Sequence, residues 1–218
     1  MLKNKFELND LAIKYQTDKS SLRHNYCVAY EEHFEKIRNK SLNILEIGIL
    51  NGSSLKLWKE YFPNSNIFGI DINPDCKKYE ENRIKIEIGD QTDCKFLEEI
   101  ISKNKFDIII DDGSHIWDHL VITFEFLFPH LNQNGIYVME DLLDCYGEFH
   151  SGEAGINAIN FLKNTVDNVN YHGMVFKPNS KIKAANFKYD IIKSKKTNYK
   201  NYIKSMHFYC GISFIKKY

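Results

Sequence analysis

Short apolar runs alternate with helix-length segments along most of this chain, and that order leaves few architectures open. Residues 41–48, 67–72, 84–88, 106–111 and 135–140 read as strands, each ending in Gly, Asp or Glu or running into them. Between them, 53–61 and 93–102 read as helices, and Pro74 opens a short one. Segment 116–131 puts Ile116, Leu120, Val121, Phe124, Leu127, Phe128 and Leu131 on one helical face. Strands alternating with helices build a parallel sheet covered on both faces. A helix over 154–168 and two late strands, 171–176 and 207–215, add a hairpin-like antiparallel edge. Residues 1–40 precede the first strand and read as helical over 7–15 and 26–38. The expectation is an α/β, doubly wound, mostly parallel sheet of seven strands with an N-terminal helical segment.

Composition narrows the function classes. The 218 residues carry 29 basic and 29 acidic side chains, a net charge of zero. This disfavours a nucleic-acid binder driven by overall positive charge. No apolar run reaches the length of a membrane span, and the N-terminus has no apolar run resembling a secretory signal. The five cysteines, Cys27, Cys76, Cys94, Cys145 and Cys210, show no zinc-type spacing. Reduced thiols in a cytoplasm fit this usage. Charge is uneven: residues 177–206 hold nine Lys and one Asp. This stretch reads either as a solvated loop or as a surface for an anionic ligand.

The first strand runs into Glu46-Ile-Gly48 and then Gly52-Ser53-Ser54. Small residues there let the backbone approach a ligand, and the next helix offers free N–H groups. The spacing is neither the dinucleotide fingerprint nor the phosphate loop of nucleotide hydrolases. Asp71 ends the second strand, placed to accept hydrogen bonds from both ribose hydroxyls of an adenosine. Gly89-Asp90-Gln91 follows the third strand and is placed to reach an adenine edge.

Asp111-Asp112-Gly113-Ser114-His115 follows the fourth strand, and Glu140-Asp141 the fifth. In an open parallel sheet, ligands sit at the carboxyl ends of strands. Asp112, Glu140 and Asp141 should therefore converge, and a divalent cation would relieve their repulsion. All-oxygen ligation favours Mg²⁺, Mn²⁺ or Ca²⁺ over zinc. His115 is expected just inside the next helix with Ser114 as its N-cap, neutral and available as a general base. Asp111 is expected on the cofactor side. His119 reads as a supporting residue, and Trp117 as core or pocket wall. Tyr15, Tyr26 and Tyr30 read as exposed, forming either a dimer seam or a substrate lid.

The loop and acid set resembles the class I S-adenosylmethionine-dependent methyltransferases, whose sheet is Rossmann-like. The stretch 106–141 narrows this: it is similar to the metal-dependent sugar O-methyltransferases of the macrocin and mycinamicin type, and to the related cephalosporin hydroxylase-like group. Tyr15-Gln-Thr17-Asp18-Lys19 and Tyr26…Tyr30-Glu31 match the same family upstream. The resemblance covers roughly 10–146 plus the last strand. It implies Asp112, Glu140 and Asp141 as metal ligands and His115 as base. It implies Glu46, Gly48, Gly52, Ser53, Asp71, Ile72, Asp90, Gln91 and Asp111 around S-adenosylmethionine, with Thr17 and Lys19 closing over it. Leu120 departs from the family, standing where Gln often follows the histidine.

The expected organisation is a single methyltransferase domain over 1–218. It comprises the N-terminal helices to 40, a cofactor- and metal-binding core over 41–141, and a C-terminal part, 142–218, with the Lys-rich loop. The expected activity is metal-assisted methyl transfer from S-adenosylmethionine to a sugar hydroxyl. The acceptor would be a small molecule or glycan precursor, nucleotide-linked or phosphorylated if the lysines bind it, from a capsule, lipopolysaccharide or natural-product pathway. The alternatives are an N-methyltransferase for a small amine and a non-catalytic cofactor-binding partner in a glycan-assembly complex. Neither nucleic acid nor a membrane span is expected, and self-association stays open.

Overall fold

The computed structural model describes residues 7–147, 149–171 and 203–218. Two short helices, α1 (Glu7–Lys14) and α2 (Cys27–Phe34), lead into β1 (Asn43–Ile47). Then follow α3 (Ser53–Tyr61), β2 (Asn66–Asp71), a 3₁₀ turn (Pro74–Tyr79), β3 (Ile84–Ile88) and α4 (Cys94–Lys103). The chain continues through β4 (Ile108–Asp111), α5 (Trp117–Leu127), β5 (Ile136–Met139) and α6 (Ala158–Tyr171). It ends in β6 (Ile203–Tyr209) and β7 (Ile212–Lys217).

The seven strands among the described residues join one sheet in the order β3-β2-β1-β4-β5-β7-β6. Neighbours from β3 to β5 are parallel. β7 runs antiparallel to both β5 and β6. The strand direction therefore reverses only in β7, and the expected doubly wound sheet with an antiparallel edge hairpin is present. Apolar side chains of α1, α2 and α3 cover one face, including Leu8, Tyr30, Phe34, Leu55 and Trp58. Those of α4, α5 and α6 cover the other, including Leu97, Leu120, Phe124 and Leu162. Strand side chains alternate between the two layers: Ile44, Ile110 and Val138 join the first, Leu45, Ile109 and Tyr137 the second.

Two expectations are corrected at the C-terminal end. The run 207–215 is not one strand; it holds a hairpin turn at Cys210–Gly211, where Gly211 takes φ 78°. A two-residue turn with a left-handed glycine is the usual way to reverse a strand tightly. Tyr171 closes α6 rather than opening a strand, and 172–176 lie outside the described residues, as do 177–202 of the Lys-rich stretch. α5 is also shorter than its periodicity suggests. Pro129 interrupts the helical hydrogen bonding, and Phe128–His130 forms a 3₁₀ turn. Among the described residues, no helix is long and apolar enough to cross a membrane.

The turn after β1 packs directly on the turn after β4. Gly48 has φ 89°, and a Cβ there would lie 1.9 Å from the Asp112 carbonyl oxygen. Backbone faces backbone, so no side-chain rotation relieves the clash. Gly48→Ala should therefore lower stability by more than ~2 kcal/mol. A urea midpoint equal to that of the unsubstituted protein would contradict this packing.

Candidate active site

The C-terminal ends of β1, β2, β4 and β5 carry most of the acids singled out above. The parallel register puts Ile47 opposite Asp111 and Asp111 opposite Met139, so the residues that follow these strands meet at one rim. Strand alternation decides which acids face each other. Glu46, Asp112 and Glu140 lie on the α1/α2/α3 side. Asp111 lies on the other.

On the first side, Glu46 is fully buried. Its carboxylate accepts from Ser54 Oγ at 2.8 Å and Trp58 Nε1 at 3.2 Å. Burial, partly offset by Lys19, pushes it up to about 7. Lys19 is the unforeseen centre of this cluster. Its ammonium lies 2.5 Å from Asp112 Oδ2, 3.0 Å from Glu140 Oε2 and 3.6 Å from Glu46 Oε1. Burial works against the charged form, but the three carboxylates outweigh it and hold the Lys19 ammonium above its usual range. Glu140 is held above the carboxylate range by burial and by Asp112. Its other oxygen accepts from Tyr30 Oη.

Asp112, His115 and Asp141 each offer a ligand atom within 4.8 Å of the others. Asp141 Oδ2 stands 3.6 Å from His115 Nε2, and Asp141 Oδ1 accepts from Tyr26 Oη at 2.7 Å. His115 Nδ1 is buried without a hydrogen-bond partner. Asp141 and His115 both take left-handed backbone, φ 52° and 57°. The carboxylates of Asp112 and Asp141, with Glu140 next in the chain to Asp141, offer the oxygen ligands that suit a hard divalent cation, and the His115 imidazole lies beside them. Glu140 itself has both oxygens engaged by Lys19 and Tyr30.

The adjoining end holds the glycine loop. Asp71 Oδ2 accepts from the N–H groups of Ile49 and Leu50 at 2.8 and 3.2 Å, and Oδ1 from Asn73 at 2.8 Å. Burial would raise Asp71, but these donors win and lower it, so it stays ionised. Gly52 caps α3 with φ 73°, and Ser53 begins that helix. Leu50 and Ile72 are 81% and 70% exposed, which leaves apolar surface bare around Asp71. Asp90 Oδ1 accepts from Thr92 N and Oγ1.

Several sequence-based placements change. Asp111 is fully buried, accepting from Tyr137 Oη at 2.8 Å and Gln91 Nε2 at 3.2 Å. Gln91 also bonds Thr123 and the Ser114 N–H. Both are internal struts tying the loop after β3 to β4, because strand parity turns Asp111 away from Asp112. Lys19 does not close over a cofactor pocket; it is fully buried among carboxylates, and Thr17 accepts its N–H at 3.2 Å. His115 precedes α5 rather than lying inside it, and Ile116 takes the N-cap position. Tyr26 and Tyr30 are 2% and 0% exposed, not a seam or lid. Trp117 packs partly into the core and donates to the Asp144 carbonyl at 3.1 Å, while His119 Nδ1 bonds Ser114 Oγ at 2.9 Å. Their spacing in the sequence carried no sign of which acids Lys19, Tyr26 and Tyr30 would meet.

No protein-family model matches the sequence. Curated relatives do. Demethylmacrocin O-methyltransferase of Streptomyces fradiae is 37% identical over 178 residues, covering 76% of this chain and 45% of that protein. Mycinamicin VI 2''-O-methyltransferase of Micromonospora griseorubida is 36% identical over 186 residues, covering 79% and 46%. The solved MycE methyltransferase of the mycinamycin pathway, in complex with Mg and SAH, superposes with a TM-score of 0.82 at 32% identity, covering 96% of this chain and 54% of that one. This chain is a homologue of the macrocin- and mycinamicin-type sugar O-methyltransferases. It spans about half the length of the curated relatives it matches. The likeness to MycE is nearly complete over this methyltransferase homologue, so sheet order and rim belong to the shared part.

Asp111 generates a pH prediction for the homologue. Burial, partly offset by Tyr137, lifts its carboxyl to about 7 from an ordinary 3.8. The folded value lies above the unfolded one, so its contribution is full below pH ~4 and lost as pH rises through ~7. Thermal unfolding should show the unsubstituted protein losing stability relative to Asp111→Asn between pH 4 and 8. Parallel profiles for the two proteins would count against this burial.

Proposed function

We propose that this chain is a single-domain S-adenosylmethionine-dependent methyltransferase that uses Mg²⁺ or Mn²⁺ to methylate a sugar hydroxyl. The observation that carries the reading is the meeting of Asp112, His115 and Asp141 within 4.8 Å at one sheet rim, beside the Gly48–Ser53 loop and Asp71. The named sugar O-methyltransferase activities of the relatives support it.

The residues divide the work by position. The Gly48–Ser53 backbone and Asp71 would hold the cofactor, with Asp71 the acceptor for its ribose hydroxyls and the exposed Ile72 beside it. Asp90 stands at the adenine end. Glu46 shapes the floor of the loop through Ser54 and Trp58. S-adenosylmethionine supplies an electrophilic methyl group. Asp112 and Asp141, with Glu140 beside them, would hold a divalent cation, whose positive charge would make a nearby acceptor hydroxyl more acidic. His115 Nε2 faces this cluster and takes the hydroxyl proton as the acceptor oxygen bonds the methyl carbon and the sulfonium C–S bond breaks, the electron pair staying on sulfur and S-adenosylhomocysteine leaving. Asp141, 3.6 Å away, stabilises the resulting imidazolium. Methyl transfer then depends on in-line approach, which rigid strand ends supply.

The acceptor we favour is a small glycan precursor, nucleotide-linked or phosphorylated, in capsule, lipopolysaccharide or natural-product assembly. The nine lysines of 177–206 support an anionic group on it. The carboxylate-rich cluster favours an oxygen acceptor over an amine, because a neutral amine needs no cation to become nucleophilic.

Three measurements test the reading. His115→Ala should lower kcat by about 10²-fold or more while leaving cofactor affinity near its original value; an equal loss in both would place His115 elsewhere. Asp71→Ala should weaken calorimetric S-adenosylmethionine binding by about 1–3 kcal/mol. Asp112→Asn should abolish divalent-dependent turnover, and full activity under chelation would overturn the metal-assisted mechanism and favour an amine acceptor.

A further inference from the structure

Asp112, Glu140 and Asp141 are all held by one short stretch of chain that precedes the first strand. Lys19 Nζ donates to Asp112 Oδ2 at 2.5 Å and to Glu140 Oε2 at 3.0 Å. Tyr30 Oη donates to Glu140 Oε1. Tyr26 Oη donates to Asp141 Oδ1 at 2.7 Å. Lys19, Tyr26 and Tyr30 are each 2% exposed or less, so packing fixes the donors before any ligand arrives.

We propose that the segment from Lys19 to Tyr30 is the positioning element of the cation site, with Tyr26 as its decisive residue. The inference rests on the proposed divalent-cation site. Asp141 is the ligand with most freedom to lose. Its side chain is 17% exposed, and its Oδ2 makes only a 3.6 Å approach to His115. The Tyr26 hydroxyl holds Oδ1, which leaves Oδ2 turned toward His115. The same hydroxyl lies 3.3 Å from the Gly211 carbonyl oxygen, which also accepts the Leu142 N–H at 2.8 Å. Tyr26 therefore ties the Asp141 carboxylate to the β6–β7 turn as well as to the N-terminal segment. Lys19 does the same for Asp112 and Glu140, and its fixed charge lets these carboxylates stay close together before a divalent ion binds. Groups that orient metal ligands from behind typically carry about 10- to 100-fold in metal affinity.

The test is Mn²⁺ binding, followed by electron paramagnetic resonance and calorimetry on the full chain well below its melting temperature. Tyr26→Phe keeps the ring and removes the donor. Tyr209→Phe is the control: it deletes a hydroxyl that bonds Glu32, away from the cluster. Tyr26→Phe should raise the Mn²⁺ Kd by about 10- to 100-fold with the fold retained by circular dichroism, and Tyr209→Phe should bind like the unsubstituted protein. A folded Tyr26→Phe protein with unchanged Kd overturns the inference alone. So does a Tyr26→Phe melting temperature lowered equally with and without Mn²⁺ at unchanged Kd, which marks a purely structural hydroxyl. If the unsubstituted protein takes up no Mn²⁺, the cation-site reading itself falls, and the inference with it.

Discussion

The buried Lys19 ammonium is the interaction on which the site depends. Three carboxylates from the ends of three adjacent strands, Glu46, Asp112 and Glu140, approach it within 3.6 Å. Burying one such charge unpaired is costly, and removing one partner of a buried pair strands the others. The parallel sheet makes the crowding unavoidable, because β1, β4 and β5 all end on one rim. A fixed cation from outside the sheet resolves it. The helical segment before β1 is thus part of the site, although it contributes no strand.

Strand parity sorts the remaining acids. Asp111 and Asp112 are adjacent, so they must point to opposite layers. Asp112 joins Lys19 and the candidate cation ligands. Asp111 bonds Gln91 and Tyr137 beneath the rim and joins the loop after β3 to β4 and β5. Two neighbouring residues of one type therefore do different work, one toward chemistry and one toward rigidity. Left-handed backbone occurs at the same rim. Leu50, His115 and Asp141 take positive φ there, and the Leu50 N–H is held by Asp71.

The loop after β5 is fastened to the start of α5 from several directions. Asp118 accepts from the N–H groups of Ala154 and Ile156 at 2.5 and 2.9 Å. The Trp117 N–H donates to the His150 carbonyl at 3.0 Å. These bonds limit how far the wall beside Asp141 and His115 can move, which suits a reaction that relies on position.

The sequence alone was enough for the sheet: alternating apolar runs and helices, with an acid or glycine after each strand, leave little choice of architecture. It was enough also to put Asp71, Asp112, His115, Glu140 and Asp141 on one rim, because strand ends follow from strand order. It misread the hairpin at Cys210–Gly211, since a continuous β-rich run hides a turn that a single glycine makes. The roles of Lys19, Tyr26, Tyr30, Asp111 and Gln91 were decided by tertiary structure. Lys19 meets Asp112 and Glu140 across separations of 93 and 121 residues, and no local spacing encodes such a contact. Which face a carboxylate takes, and which distant donor reaches it, is set only when both layers close on the sheet.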